Sequence, residues 1–232
     1  RNYLSTQSED GSVGWKPGMA GQRGQWMAAP LLATLARKAL LAGAEPEFEA
    51  EVFPKLDSFL KRWLGADHDR DNDGFPEWDH PQQAGMEEHP LFNTWQRASQ
   101  GGDITCVESP ALGAMLARDL EALARMAENL GEQRWMEESL RLKDRTTSQV
   151  QTCRDNTTGL HHLRDRDSHA SQPGEKIGSW QSNGAFNVGA VFPHPVRLLV
   201  RVDTRGHSLR HPRISLDGQV KDKPYTEHLE QA

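Results

Sequence analysis

SPALGAMLARDLEALARMAENLG, residues 109–131, is the stretch whose reading decides the fold. Leu112, Met115, Leu116, Leu120, Leu123, Met126, Ala127 and Leu130 recur at steps of three and four, which lines one face of an α-helix. Ser109 stands at the N-cap position, Pro110 occupies the first helical position where a missing N–H costs nothing, and Gly131 supplies the stop. A second helical pattern follows over about residues 132–153, carrying Trp135, Met136, Leu140, Leu142 and Val150. Upstream, WMAAPLLATLARKALLAG (26–43) places Leu31, Leu32, Leu35, Ala36, Ala39 and Leu40 on one face, with Gly43 as the stop. EPEFEAEVFPKLDSFLKRWLG (45–65) does the same with Phe48, Val52, Leu56, Phe59, Leu60 and Trp63. Pro54 lies inside that pattern and predicts a kink or a late start. Four helices in two consecutive pairs predict a mainly α chain, an array of helical hairpins rather than an α/β sheet.

The flanks differ. Residues 1–24 are glycine-rich and polar and read as loop. After about residue 155, NTTGLHHLRD gives a turn and a short strand, 165–187 is loop-like, and the segments 196–204 and 211–220 alternate like the arms of a β-hairpin. The expected organisation is a helical domain over 1–155 and a β-rich insertion over 156–232 that the chain leaves incomplete.

Net charge is −6, and the 27 basic residues are scattered, which disfavours nucleic-acid binding. No apolar run reaches the roughly 20 residues that cross a bilayer. Two cysteines, Cys106 and Cys153, form neither a disulfide framework nor a zinc pattern. They suggest a reducing compartment or no redox role, and a cytoplasmic setting is the expectation.

The chemistry lies in DHDRDNDGFPEWDHPQQAGMEEHPLF, residues 67–92, within a long loop spanning 66–109. Asp67, Asp69, Asp71, Asp73, Glu77, Asp79, Glu87 and Glu88 crowd together, and like charges raise one another's pKa unless a cation relieves them. Asp69, Asp71, Asp73 and Gly74 match the opening of a calcium loop, although His80 stands where a bidentate Glu closes an EF-hand. A turn in which Asp side chains bond their own backbone is the reading that fits those four residues best. A transition-metal set of His80, Glu87, Glu88 and His89 lacks the spacing such sites use. The other reading is glycoside cleavage, which needs paired carboxyls and apolar platforms for sugar faces and no cofactor. Trp78 beside Asp79 is then expected to lift the carboxyl pKa by burial, or else to pack into the core.

DRDNDGFPEWDHPQQAGMEEHPLF, together with DITCVESPALGAMLARDLEALARMAENLG, resembles the (α/α)6-barrel glycosidases of the family 63, trehalase-like and mannosylglycerate-hydrolase-like group. GWKPGMAGQRGQWMAAPLLATLA and DRDSHASQPGEKIG fit the same pattern more loosely. The resemblance implies a partial (α/α)6 barrel acting on a small O-glucoside or O-mannoside with inversion, and an acid role for Asp79 in Glu77-Trp78-Asp79. The general base lies further along such barrels and falls on no residue of this chain. Trp78, Glu77, His80, Glu87, Trp95 and Trp15 are the expected sugar contacts, while Glu108, ahead of a helix, reads as structural. Met27-Ala28-Ala29-Pro30 lacks the Gln that relatives often carry there, and Gly18, Gly21 and Gly24 lack the Lys-Ser/Thr of a phosphate loop. A phosphorylase on the same scaffold, and a non-catalytic calcium- or sugar-binding helical protein, are the alternatives.

Overall fold

The structure is a computed structural model that describes residues 1–18, 21, 22, 24, 26–85, 92, 102–170, 176–192, 198, 200, 213–220 and 222–229. Its main elements are α1 (Leu32–Leu41), α2 (Pro46–Trp63), α3 (Pro110–Asn129) and α4 (Gln133–Thr152). Short turns join α1 to α2 and α3 to α4. Gly43 (φ +99°) and Gly131 (φ +75°) supply the left-handed residues that let these helices stop and reverse. Helix α3 packs against each of the other three, so it is the centre of the array. The chain is mainly α, a partial helical barrel.

The core forms where α2 and α3 turn their apolar faces together. Val52, Leu56, Phe59, Leu60 and Trp63 meet Leu112, Leu116, Leu120, Leu123, Met126 and Ala127, with Ala33 and Ala36 of α1 beside them. Side chains of this size each contribute about 1.5–3 kcal/mol when fully buried. Close approach at the α3–α4 seam is set by Gly113, where a Cβ would lie 2.5 Å from Val150 Cγ2 and 2.6 Å from Phe75 Cε2.

Several helix ends differ from the sequence reading. Helix α1 begins at Leu32 and not at Trp26. Its first turn is capped from across the core, since Asp119 of α3 accepts from the backbone N–H groups of Ala33 (3.1 Å) and Thr34 (2.7 Å). Leu35, placed on the buried face by its spacing, is 58% exposed. Helix α2 starts at Pro46 and runs through Pro54 as one helix, so the late start does not occur. Ser109 does occupy the N-cap of α3, yet its buried hydroxyl makes no cap bond.

The strands are short and antiparallel: β1 (Pro17–Gly18) with β2 (Gly21–Gln22), β3 (Val107–Glu108) with β4 (Arg164–Asp165), and β5 (Ile214–Val220) with β6 (Lys223–Leu229). The hairpin pairs Ile214 with Leu229 and Val220 with Lys223, so segment 211–220 is its first arm and not its second. Most of the first arm proposed at 196–204 lies outside the described residues. No helix among the described residues is long and apolar enough to cross a membrane.

Candidate active site

The loop after α2 folds onto the core before it offers any chemistry. Phe75 and Trp78 are fully buried, and Trp78 meets Trp63 edge-on at 5.4 Å between ring centroids. Trp63 in turn donates from Nε1 to the Ala28 carbonyl at 3.0 Å and packs against the His68 ring at 4.6 Å. Two backbone contacts set the register: Glu77 N–H donates to the His68 carbonyl at 2.8 Å, and Glu77 bridges Glu108 of β3. In extended chain, alternate residues share a side. Glu77 and Asp79 therefore both face Arg70, while Trp78 between them turns into the core.

Arg70 joins the two acids. Its Nη1 lies 3.1 Å from Glu77 Oε2 and its Nη2 lies 2.8 Å from Asp79 Oδ1. The other Asp79 oxygen, Oδ2, sits 3.2 Å from His68 Nε2 and accepts from Gln83 Nε2 at 3.2 Å. Gln83 closes the loop by accepting from the Asp79 N–H (2.9 Å) and donating to the Met27 carbonyl (2.9 Å). The Asp79 side chain keeps 21% exposure, so it is anchored yet reachable.

The expected electrostatics of Asp79 are reversed. Burial does push its carboxyl up, but the bonds and charge of His68, with Arg70 and Gln83, outweigh burial and hold it below the ordinary carboxylate value. Of the two placements the sequence left open for Trp78, the core is the one it takes: its indole faces Trp63 and not the carboxylate. The raised carboxyl is Glu77, which burial pushes up to about 7 against the pull of Arg70. Glu77 and Trp78 are both fully buried, so neither presents a surface to a sugar in this state, contrary to the expectation.

His80 and Trp15, proposed as sugar contacts, are brought together by a residue the sequence reading missed. Trp26 stacks on His80 at 3.9 Å with the rings only 13° apart, and Trp15 lies 5.7 Å from Trp26. All three rings are half-buried and form a shelf that joins Asp79 through its sequence neighbour His80. Glu87, Trp95, Glu88 and His89 lie outside the described residues.

The Asp-rich turn bonds mostly to itself. Asp69 accepts from Gly74 N–H (2.9 Å) and Asp73 from Phe75 N–H (2.7 Å), with Asp71 accepting from Asp73 N–H (3.3 Å). Asp71, Asp73, Glu108 and His169 bring one ligand atom each within 4.8 Å of one another, and Asp69 is not among them. A cation already stands there. Arg164 of β4 pairs with Glu108 and Asp73 and lies over the Phe75 ring. Its charge opposes the burial that pushes Glu108 up to about 8. Arg70, His68, Gln83, Trp26 and Arg164 are thus the site residues missed from sequence. One signal was present, since Arg70 is the single Lys or Arg between Asp67 and Asp79.

The helical-hairpin array is the fold of helical-barrel glycoside hydrolases. Solved structures that share the fold come from Thermus thermophilus. An uncharacterized conserved protein superposes with a TM-score of 0.59 at 16% identity, over 71% of this chain and 54% of its own. A GH63 mannosylglycerate hydrolase in complex with Tris gives a TM-score of 0.59 at 15% identity, over 72% of this chain and 56% of its own. The same hydrolase in complex with glucose gives 0.55 at 19% identity, over 71% and 53%. The chain therefore spans about half the length of these structures. No curated protein matches the sequence. The family profile described as mannosylglycerate hydrolase MGH1-like glycoside hydrolase domain matches residues 3–194, and the chain belongs to that family.

Proposed function

We propose that the protein hydrolyses a small O-glycoside, a glucoside or mannoside joined to a small aglycone such as glycerate, with inversion at the anomeric carbon. The observation that carries this reading is the Asp79 carboxylate, anchored on three side chains and still reachable beside Trp26 and His80, in a member of this glycosidase family. Inversion requires a second carboxyl about 6.5–9.5 Å away on the opposite sugar face, with a water between. In this mechanism Asp79 protonates the leaving oxygen. It must then take up a proton at the moment substrate shields it from Arg70.

The lowered Asp79 pKa favours a second reading of its role. A carboxylate held ionised by Arg70, His68 and Gln83 is suited to accept hydrogen bonds from sugar hydroxyls, and the proton then comes from another acid of the same loop, Glu87. Leaving-group dependence separates the two. A general acid is dispensable when the leaving group needs no proton, so its loss is rescued by a glycosyl fluoride; loss of a hydroxyl contact is not.

Asp79→Asn and Glu87→Gln are compared in the intact protein on glucosyl- and mannosyl-glycerate and on the matching fluorides. If Asp79 is the donor, D79N loses about 10²–10⁴-fold on the glycerates and recovers on fluoride. If it binds hydroxyls, D79N loses on both, and E87Q shows the recovery. No turnover of either substrate by the wild type would sink the glycosidase reading.

A further inference from the structure

We propose that Arg70 is a positioning residue of this site: its guanidinium, anchored on the buried Glu77, fixes the Asp79 carboxyl in the orientation from which it meets substrate. The proposal rests on the reading that Asp79 faces substrate.

Arg70 is 27% exposed and springs from a turn, a setting in which an arginine ordinarily keeps its rotamer freedom. Here one oxygen of Glu77 removes that freedom. Glu77 Oε2 accepts from Nη1 at 3.1 Å and stands 3.4 Å from the Arg70 backbone nitrogen, so a single carboxylate oxygen holds both ends of the residue. Glu77 cannot follow a moving partner, because it has no exposed surface and its backbone is tied to His68 and Glu108. The second arm of the planar fork is then aimed at Asp79 Oδ1, 2.8 Å away.

The two oxygens of Asp79 are consequently unequal. Oδ2 meets both His68 Nε2 and Gln83 Nε2, which fills its two lone pairs. Among the described residues Oδ1 meets Arg70 alone, which leaves one of its lone pairs to substrate. The geometry assigns to Oδ1 the proton, or the sugar hydroxyl, that this residue exchanges with substrate. Arg70 therefore sits on the working oxygen, and moving it changes both where that oxygen points and how readily it is protonated. The charged groups that bear on the pair are His68 and Arg70 at Asp79, and Arg70, Asp71 and Arg166 around Glu77. Removing Arg70 takes away the guanidinium and leaves Asp79 with the His68 ring and the Gln83 amide as its side-chain partners among the described residues.

The test uses Arg70→Met, Arg70→Lys and Glu77→Gln, each checked for folding by circular dichroism. Two readouts are taken: a carbon-13 NMR titration of the Asp79 carboxyl, assigned with D79N, and pH profiles of kcat and KM on the glycosyl-glycerates. R70M is expected to move the Asp79 titration upward, and with it the limb of the profile that Asp79 sets (the alkaline limb where it donates the proton, the acidic limb where it works ionised), and to lower kcat by about 10–100-fold with KM changing less, the size of a sub-ångström misplacement of a reacting group. E77Q moves both in the same direction by less. R70K restores the titration but not kcat, since an ammonium lacks the fork.

A folded R70M in which Asp79 titrates as in wild type overturns the proposal, and if R70M does not fold, an E77Q protein with unchanged titration and kcat overturns it. Should the titration move while the wild type hydrolyses nothing, the anchoring stands and the glycosidase reading falls. Should the wild type hydrolyse glycosides and D79N lose nothing, glycosidase function stands and this proposal falls.

Discussion

Asp119 gives the sharpest test of how the helical array is held together. It lies on α3 without exposed surface, and its carboxyl oxygens take the N–H groups of Ala33 and Thr34 at the start of α1. Leu31, the N-cap residue of α1, offers no side-chain acceptor, so Asp119 does from 85 residues away what a local cap ordinarily does. Asp119→Ala strands two buried donors. A buried donor left unmet costs about 1–3 kcal/mol and a lost cap about 0.5–2 kcal/mol, terms that overlap, so the expected loss is about 3 kcal/mol. Asp119→Asn is milder. Burial already pushes this carboxyl up in spite of its donors, so a neutral amide gives away little charge stabilisation. Its cost is the NH2 group turned toward one of the two donors, about 1–2 kcal/mol. Urea unfolding followed by far-ultraviolet circular dichroism measures both, and with a slope of about 2–3 kcal/mol/M the alanine variant should unfold about 1 M earlier. A D119A protein within 1 kcal/mol of wild type, or one no weaker than D119N, would falsify the account of α1 as capped from α3.

Glu77 sets a pH dependence of stability. Its folded pKa of about 7 stands above the ordinary 4.5, so the folded state binds the extra proton between them, and stability is full below about 4.5 and falls as pH rises to about 7. The loss is on the order of 3 kcal/mol and should flatten in E77Q, read from urea midpoints between pH 4 and 8. Arg164→Met leaves Glu108 and Asp73 without their cation in a buried place and should cost about 3–5 kcal/mol, measured the same way. Gly113→Ala drives a methyl into Val150 and Phe75; about 1–3 kcal/mol of overpacking against about 1 kcal/mol of helix propensity leaves a net loss of up to about 2 kcal/mol in thermal or urea unfolding.

The helical pairs were legible because their signals are local. Spacing of three and four along 112–130, with Gly43 and Gly131 at the turns, is enough to fix α1–α2 and α3–α4 as hairpins. The start of α1 was not legible, since its cap is a side chain on another helix. Trp78 was open between two placements, and the core is the one it takes. Its adjacency to Asp79 suggested an indole beside a carboxyl, yet neighbours in extended chain point to opposite sides, and pleating sends Trp78 to Trp63 and Asp79 to Arg70. The same alternation, applied to Glu77 and Asp79, would have found their shared partner. The partnership of Arg164 with Glu108 and Asp73 could not have been read this way. It depends on β4 pairing with β3 after the whole of α3 and α4 has intervened.

The crowded acids of the loop looked like a case for a bound cation, because the sequence shows their charges without showing what meets them. In the folded chain Asp67 meets Arg62, Asp69 meets the Gly74 amide, Asp71 faces His169, and Asp73 meets Arg164. Glu77 and Asp79 divide Arg70. Each acid from 67 to 79 thus has a partner within the protein, while Asp71 and Asp73 still push the carboxyls of Asp69 and Glu108 up. What separates Asp79 from the others is its neighbours. Asp69 and Glu77 are buried, Asp73 is enclosed by Arg164 and the Phe75 amide, and Asp67 and Asp71 pair with Arg62 and His169. Asp79 alone combines a fixed orientation, an oxygen with a spare lone pair and a neighbour, His80, that is stacked on Trp26. The remaining carboxylates of the turn act as its frame, and the partners that satisfy them keep that one oxygen in place.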